Sequence, residues 1–182
     1  MNSAPKVIFF SGVHGAGKGW LINEVKKQLP LSHYSASELI KQEKQIEVDT
    51  DKIVIDADEN QDILLNALGK LDGENIILLD GHFCLRNAVG FYEVPQRTFE
   101  QIELLAVVLV KETASVIQER LANRDGLILS LEDVEKFQDA EIRRAQFLKQ
   151  TLAFPMISVV SNEVARVTSA LALVIEKTET DG

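Results

Sequence analysis

Short apolar runs alternate along this chain with longer stretches in which apolar residues recur every three or four positions. The runs Val7–Phe10, Ile76–Leu79 and Leu104–Val110 are purely or almost purely apolar, which is typical of strands buried on both faces of a sheet. Residues 63–71 and 164–175 repeat apolar side chains at helical spacing. The pattern therefore predicts strands that alternate with helices.

The predicted elements follow one another in a regular order. They are a strand over 6–11, a helix over 18–29, a strand over 31–35, the start of a helix at 37–41, a helix through 63–71, a strand over 75–80, a hairpin within 82–94, a strand over 104–110, helices over 112–124 and 131–152, a strand over 155–160 and a final helix. Residues 47–55 fit either an extended segment or a loop. This order favours an α/β fold, with a parallel sheet of about five strands between two layers of helices.

The composition is that of a globular protein. The 182 residues can form one domain with a substantial core, and 46% of them are hydrophobic and 26% charged. No apolar run approaches the roughly 20 residues that span a bilayer. The only cysteine, Cys84, excludes a disulfide framework, so we expect a cytoplasmic protein without membrane contact. The net charge of −9 argues against broad nucleic-acid binding, which needs a basic surface.

A glycine-rich loop lies between the first predicted strand and the first predicted helix. Its residues 12–18 fit the frame G-x-x-x-x-G-K, in which glycines let successive N–H groups point into one hollow. The lysine of this frame reaches the β- and γ-phosphates of a nucleotide, and the start of the helix attracts the anion. We therefore expect ATP to bind here, through Gly12, Val13, His14, Gly15, Ala16, Gly17, Lys18, Gly19 and Trp20.

With Gly19 after the lysine, the loop reads G-x-x-G-x-G-K-G and resembles that of adenylate kinases and related nucleoside monophosphate kinases. The resemblance implies a single P-loop kinase domain over residues 1–182, which uses ATP and Mg²⁺. It also implies an acceptor-binding segment at about 35–58 and a short lid at about 120–131. Gly19 offers no hydroxyl to Mg²⁺, and Trp20 replaces a threonine that touches phosphate in most members, so the metal would be held largely through water.

Asp80 ends the apolar strand over 75–80, and in this architecture an acid at that point lies beside the phosphate loop. We expect it to orient water molecules on Mg²⁺. Residues 78–81 also match the start of the family motif L-D-G-F-P-R, whose arginine contacts the acceptor phosphate. Here His82 follows the match and Arg86 lies two positions late, so the resemblance implies acceptor binding by these two residues.

Two further segments resemble the same family. Ser35 and Lys41 stand at the ends of a segment that matches S-T-G-D-M-L-R, which contacts the acceptor nucleotide. The resemblance implies that both bind the acceptor. Arg120 and Arg124 lie on one helix face, where many members have the R-x-x-x-R that opens the lid over ATP. We expect both arginines to be catalytic.

Arg143 and Arg144 lie midway along the long helix that follows the lid segment. Fixed arginines stabilise the charge that spreads over a transferring phosphoryl group, so we expect at least one of them to be catalytic. Helical periodicity leaves open which one. Asn162 follows the last predicted strand, where related kinases place the loop that touches adenine, although taken as an isolated residue it is more typical of a cap on the final helix.

The sequence thus indicates ATP-dependent phosphoryl transfer to a nucleoside monophosphate, with Lys18 and the arginines above around the transferring group. One alternative is a kinase of a hydroxyl group on a small metabolite or nucleoside, in which Asp80 or His82 takes the proton. Another is a nucleotide-binding regulatory or assembly protein with weak turnover. Small-molecule nucleotides are the expected partners, and the sequence leaves the oligomeric state open.

Overall fold

The computed structural model describes residues 4–48, 57–71, 73–87 and 90–180. The strands are β1 (Lys6–Ser11), β2 (Ser32–Ser35), β3 (Ile76–Asp80), β4 (Cys84–Asn87), β5 (Gly90–Glu93), β6 (Leu104–Lys111) and β7 (Met156–Val160). The helices are α1 (Lys18–Lys26), α2 (Ala36–Val48), α3 (Ala57–Gly69), α4 (Gln96–Gln101), α5 (Ala114–Asp125), α6 (Leu131–Leu152) and α7 (Val164–Thr180).

Five strands form one parallel sheet in the order β2-β3-β1-β6-β7, which confirms the predicted fold class. β1 is the central strand, and Phe10 near its end is paired with Asp80 of β3 and Val108 of β6. The chain continues from β1 to one side of the sheet and later returns to the other side. A crevice therefore opens at the carboxyl end of β1, where sheets of this kind bind their ligands.

Alternate residues of β1 supply two hydrophobic clusters on opposite faces of the sheet. Ile8 and Phe10 are buried with side chains of α1, α5 and α7, whereas Val7 and Phe9 are buried with side chains of α3 and α4. Both faces are covered, which explains why the strand reads as a continuous apolar run. A shift of one residue in its register would exchange the two faces, so burial fixes where the strand ends and the phosphate loop begins.

Some predicted boundaries differ from the structure. α1 ends at Lys26 rather than near Leu29, because the following residues form a turn before Pro30. α2 continues to Val48, and residues 49–55 of the ambiguous segment lie outside the described residues. α7 begins at Val164, two residues beyond Asn162, so Asn162 is not the residue that caps this helix.

The hairpin predicted within residues 82–94 is confirmed, since β4 and β5 pair antiparallel. α4 was not predicted, because its six residues contain only two buried side chains, Thr98 and Phe99, and such a short pattern has no measurable period. Within the described ranges, no helix is long and apolar enough to cross a membrane.

Candidate active site

The phosphate loop connects β1 to α1 through three glycines with positive φ, at 145° for Gly12, 85° for Gly15 and 96° for Gly17. Gly17 is also the N-cap of α1, where no side chain caps the helix and no acid occupies the first turn. The first N–H groups of α1 are therefore open to an external anion, and the helix dipole favours one. The loop geometry fits the phosphates of ATP.

Two glycines of this loop form a matched pair for mutation. A Cβ atom at Gly17 would lie 2.7 Å from Cβ of Ser161 on a backbone with positive φ, whereas a Cβ at Gly19 has no neighbour within 4 Å. We expect Gly17→Ala to lower the free energy of unfolding by about 1–3 kcal/mol. Gly19→Ala should leave it unchanged or raise it by about 0.5–1 kcal/mol, because alanine is the better helix former.

Chemical denaturation of the two variants beside the parent protein measures these changes. Equal stability of the two alanine variants would contradict the tight loop conformation.

Lys18, the first residue of α1, is buried with 6% of its surface exposed. Its Nζ donates to the carbonyl of Gly12 at 2.5 Å and to that of Val13 at 3.5 Å, and it lies 3.7 Å from Oδ1 of Asp80. Burial lowers the pKa of Lys18, while the charges of Asp80 and Glu141 oppose this effect. The ammonium group is thus held at the centre of the loop, between the chain and a carboxylate.

Asp80 reaches the loop because β3 pairs with β1 in parallel register. Its carboxylate beside Lys18 fits a water-mediated contact to Mg²⁺. The described residues contain no group of three or more His, Cys, Asp or Glu side chains that could hold a metal ion. This donor set fits a Mg²⁺ that is held mainly by phosphate oxygens and water rather than by a protein cage.

A cavity of about 600 Å³, here called the donor cavity, lies over the phosphate loop. It is lined by Val13, His14, Gly15, Gly17, Lys18, Gly19, Trp20, Asp80, Arg120, Asn123 and Arg124. Nη1 of Arg120 donates to the carbonyl of Gly15 at 3.0 Å, and Arg124 is close enough to Lys18 to lower its pKa. The structure thus brings both lid arginines to the phosphate side, while their catalytic role stays a prediction.

A second cavity of about 550 Å³, here called the acceptor cavity, lies on the other side of Lys18 and Asp80, which line both. Ser35, Lys41 and His82 line it, as predicted for acceptor contacts. Arg86 does not line it, because its side chain is exposed and borders a separate cavity of about 210 Å³. A ligand in this cavity would lie next to the phosphate loop.

The walls of the acceptor cavity are largely apolar, with Phe9, Leu64, Phe99 and Ile102 among the lining residues. Three lining side chains also carry a buried polar atom without a protein partner: Asn60 (Oδ1), Thr98 (Oγ1) and His82 (Nδ1). Such groups cost free energy unless a ligand or water satisfies them. They indicate a ligand with an apolar body and a few polar groups.

His82 lies where the two sides of the site meet. Its ring centroid is 4.5 Å from that of His14 in the phosphate loop. Burial, the charge of Lys18 and His14 together lower the pKa of His82 well below its usual value, while a hydrogen bond to the Gly12 backbone opposes the shift. The neutral form of the imidazole is therefore favoured, and the same effects make it a weaker base than a free histidine.

A family model described as "AAA domain" matches residues 11–138, which is more than half of the chain. The chain belongs to this AAA domain family. A comparison with curated proteins found no match. Two solved structures share the fold over nearly the whole chain.

One of these structures is a gluconokinase from Sinorhizobium meliloti 1021, with a TM-score of 0.53, 15% identity and coverage of 99% of this chain and 97% of that one. The other is a shikimate kinase from Acinetobacter baumannii in complex with shikimate, with a TM-score of 0.57, 16% identity and coverage of 96% and 94%. At these identities the likeness concerns the fold. The comparisons thus show the AAA domain family for this chain and the same fold as these two structures.

Arg143 and Arg144 do not line the donor cavity or the acceptor cavity of the AAA domain protein. Nη2 of Arg144 donates to the carbonyl of Val94 at 2.8 Å, and Nη1 lies 3.2 Å from Oε2 of Glu93. Arg143 is exposed. Neither arginine therefore lines the cavities where at least one of them was expected. The residue that α6 directs to the phosphate loop is Glu141.

Two further expected ATP contacts differ from each other in their position relative to the donor cavity. Trp20 lines the donor cavity with 53% of its surface exposed, so it can cover a bound nucleotide. Asn162 is exposed and is not among the residues that line this cavity, although its neighbour Ser161 borders Gly17. The predicted contact between Asn162 and adenine stays a prediction.

Glu141 is the site residue that the sequence reasoning missed. It is 1% exposed, and its carboxylate accepts hydrogen bonds from the Ser11 hydroxyl and from the backbone N–H groups of Gly12, Phe83 and Cys84. The sequence feature that could have identified Glu141 was its position as an acidic residue on the apolar face of α6. A charged residue is almost never fully buried unless hydrogen-bonded or paired, so its place on that face predicted a specific partner.

Proposed function

We propose that this AAA domain protein is an ATP-dependent kinase that transfers the γ-phosphoryl group to a hydroxyl group of a small molecule. The observation that carries the proposal is the wall shared by the two cavities. Lys18 and Asp80 line both of them, so a triphosphate in the donor cavity would end beside the same two groups as an acceptor in the other. Catalysis would combine positioning and charge stabilisation with removal of the acceptor's hydroxyl proton.

The chain's own residues supply the parts that such a transfer needs. The N–H groups at the start of α1 and Nζ of Lys18 would bind the phosphates, with Arg120 and Arg124 on the lid side. Bound Mg²⁺ would neutralise phosphate oxygens, and Asp80 would hold its water molecules. As the acceptor oxygen bonds to phosphorus and the bond to the ADP oxygen breaks, Asp80 or His82 would take the hydroxyl proton.

The lining of the acceptor cavity favours a hydroxyl acceptor over a monophosphate. Among the described residues, no arginine lines this cavity, whereas arginine is the residue best suited to grip a phosphate with two hydrogen bonds. Two groups able to accept a proton, on Asp80 and His82, do line it. A monophosphate acceptor would need neither, because its attacking oxygen is already an anion. Both solved structures described above are also kinases by name.

A nucleoside monophosphate kinase is the second candidate, and one observation favours it. Lys41 and Lys44 lie three residues apart on α2, and both line the acceptor cavity. Two ammonium groups on one helix face can hold a phosphate as point charges. Lys41 is also the residue that matches the acceptor-binding arginine of the nucleoside monophosphate kinases.

A transfer assay with γ-labelled ATP and Mg²⁺ tests the proposal. The acceptors are nucleosides, nucleoside monophosphates and hydroxy acids, and binding is followed separately through the fluorescence of Trp20, the only tryptophan of the chain. We expect ATP to change this fluorescence and label to appear on a hydroxyl compound. Label on monophosphates alone would support the second candidate. ATP binding without transfer to any acceptor would contradict both and favour a regulatory protein.

A further inference from the structure

One carboxylate joins the two loops that build the site. Oε1 of Glu141 accepts from Gly12 N at 3.2 Å and from Phe83 N at 2.9 Å, and Oε2 accepts from Cys84 N at 2.6 Å. The hydroxyl of Ser11 donates to Oε1 as well. α6 thus reaches the end of β1 and the loop after β3 with a single side chain.

The backbone groups that donate hydrogen bonds to Glu141 lie next to residues that line the two cavities. The carbonyl of Gly12 is the closest partner of Nζ of Lys18, on the donor side. Phe83 and Cys84 follow His82, which lines the acceptor cavity. The carboxylate therefore sets the distance between the group that would bind the γ-phosphate and the segment that borders the acceptor.

We propose that Glu141 is a positioning residue that fixes the acceptor-side segment of residues 81–84 against the phosphate loop. This inference rests on the proposed function. Burial raises the pKa of Glu141, but three backbone N–H groups, a hydroxyl and the charge of Lys18 all favour the carboxylate form. Neutral glutamine cannot replace it, because its amide nitrogen is a donor and would face N–H donors.

The test compares Glu141→Gln and Glu141→Asp with the parent protein and with Glu135→Gln, which changes an exposed acid on the same helix. Thermal unfolding reports the fold, Trp20 fluorescence reports ATP binding, and the transfer assay gives kcat and the acceptor KM. We expect Glu141→Gln to bind ATP like the parent protein but to lose about 100-fold in kcat, the effect of a displacement near 1 Å. Glu135→Gln should match the parent protein.

The aspartate variant separates position from charge. It keeps the negative charge near Lys18 but is shorter by one methylene group, so a positioning role predicts that it does not restore kcat. Full restoration by aspartate would overturn the inference, because it would assign the effect to charge. Unchanged kcat and acceptor KM in folded Glu141→Gln would also overturn it and leave a purely structural role.

If Glu141→Gln fails to fold, Ser11→Ala removes only the hydroxyl contact, and a loss in kcat of about tenfold is expected. Parent-like kinetics in that variant would then overturn the inference. Transfer by the parent protein tests the proposed function independently of Glu141. Absence of transfer by the parent contradicts that function, whereas transfer by the parent that is unaffected in the Glu141 variants contradicts only the positioning role.

Discussion

Lys18→Ala is expected to lower kcat/KM for phosphoryl transfer by about 10³-fold or more. The substitution removes the ammonium group that lies between the Gly12 carbonyl and Asp80 and that faces the donor cavity. A fixed cation in a dry site stabilises the charge that develops on the transferring group, and removal of one such group costs about 10²- to 10³-fold elsewhere. We expect the further loss from weaker phosphate binding, because Lys18 would also contact ATP in the ground state.

The matched control is Lys27→Ala, which removes an exposed lysine just after the same helix, where it pairs with Glu24. An exposed pair of this kind contributes little, so rate and ATP affinity should remain those of the parent protein. Steady-state transfer kinetics and Trp20 fluorescence titrations measure both variants. A Lys18→Ala protein that is folded and transfers phosphate at the parent rate would rule out the phosphate loop as the site of reaction.

Asp80→Asn is expected to lower kcat by about 10²- to 10³-fold and to raise the Mg²⁺ concentration needed for half-maximal rate. The asparagine has the same shape, so the parallel register of β3 with β1 should survive. It lacks the charge that orients metal-bound water and that balances Lys18 at 3.7 Å. Loss of that partner further disfavours the charged form of the buried lysine, which adds to the defect.

Rate measurements over a series of Mg²⁺ concentrations test this expectation, with Asp139→Asn on the exposed face of α6 as the control. The control should show the parent's Mg²⁺ dependence. If Asp80→Asn retains both the parent rate and the parent Mg²⁺ dependence, Asp80 neither contacts the metal through water nor takes the acceptor proton.

The sheet and the phosphate loop could be predicted from sequence because each depends on a local pattern. Val7–Phe10 is buried on both faces, and the resulting run of apolar residues is visible without any tertiary information. Gly12 and Gly17 occupy conformations that other residues rarely adopt, so their spacing carries the loop geometry directly. Asp80 followed from the same reasoning, because a strand end marks the edge of a parallel sheet.

The rest of the site depends on which face of α6 is turned toward the phosphate loop. Helical periodicity does not distinguish between two neighbouring faces of this helix. The sequence placed Arg143 and Arg144 near the phosphates, but the buried face turns Glu141 there and directs Arg144 to Val94 and Glu93. Arg86 was expected at the acceptor, but it does not line the acceptor cavity. The β4–β5 hairpin carries it outward toward the lid, and no local pattern records that direction.

Because Lys18 and Asp80 belong to the walls of both cavities, the two chambers meet at these two side chains. A single compound that tethers an adenosine polyphosphate to an acceptor fragment could fill both chambers at once. With a short flexible tether, the second fragment binds at an effective concentration in the millimolar range, so weak fragments add up to a tight inhibitor. Selectivity would come from the acceptor half, since the glycine loop presents mainly backbone atoms to its ligand.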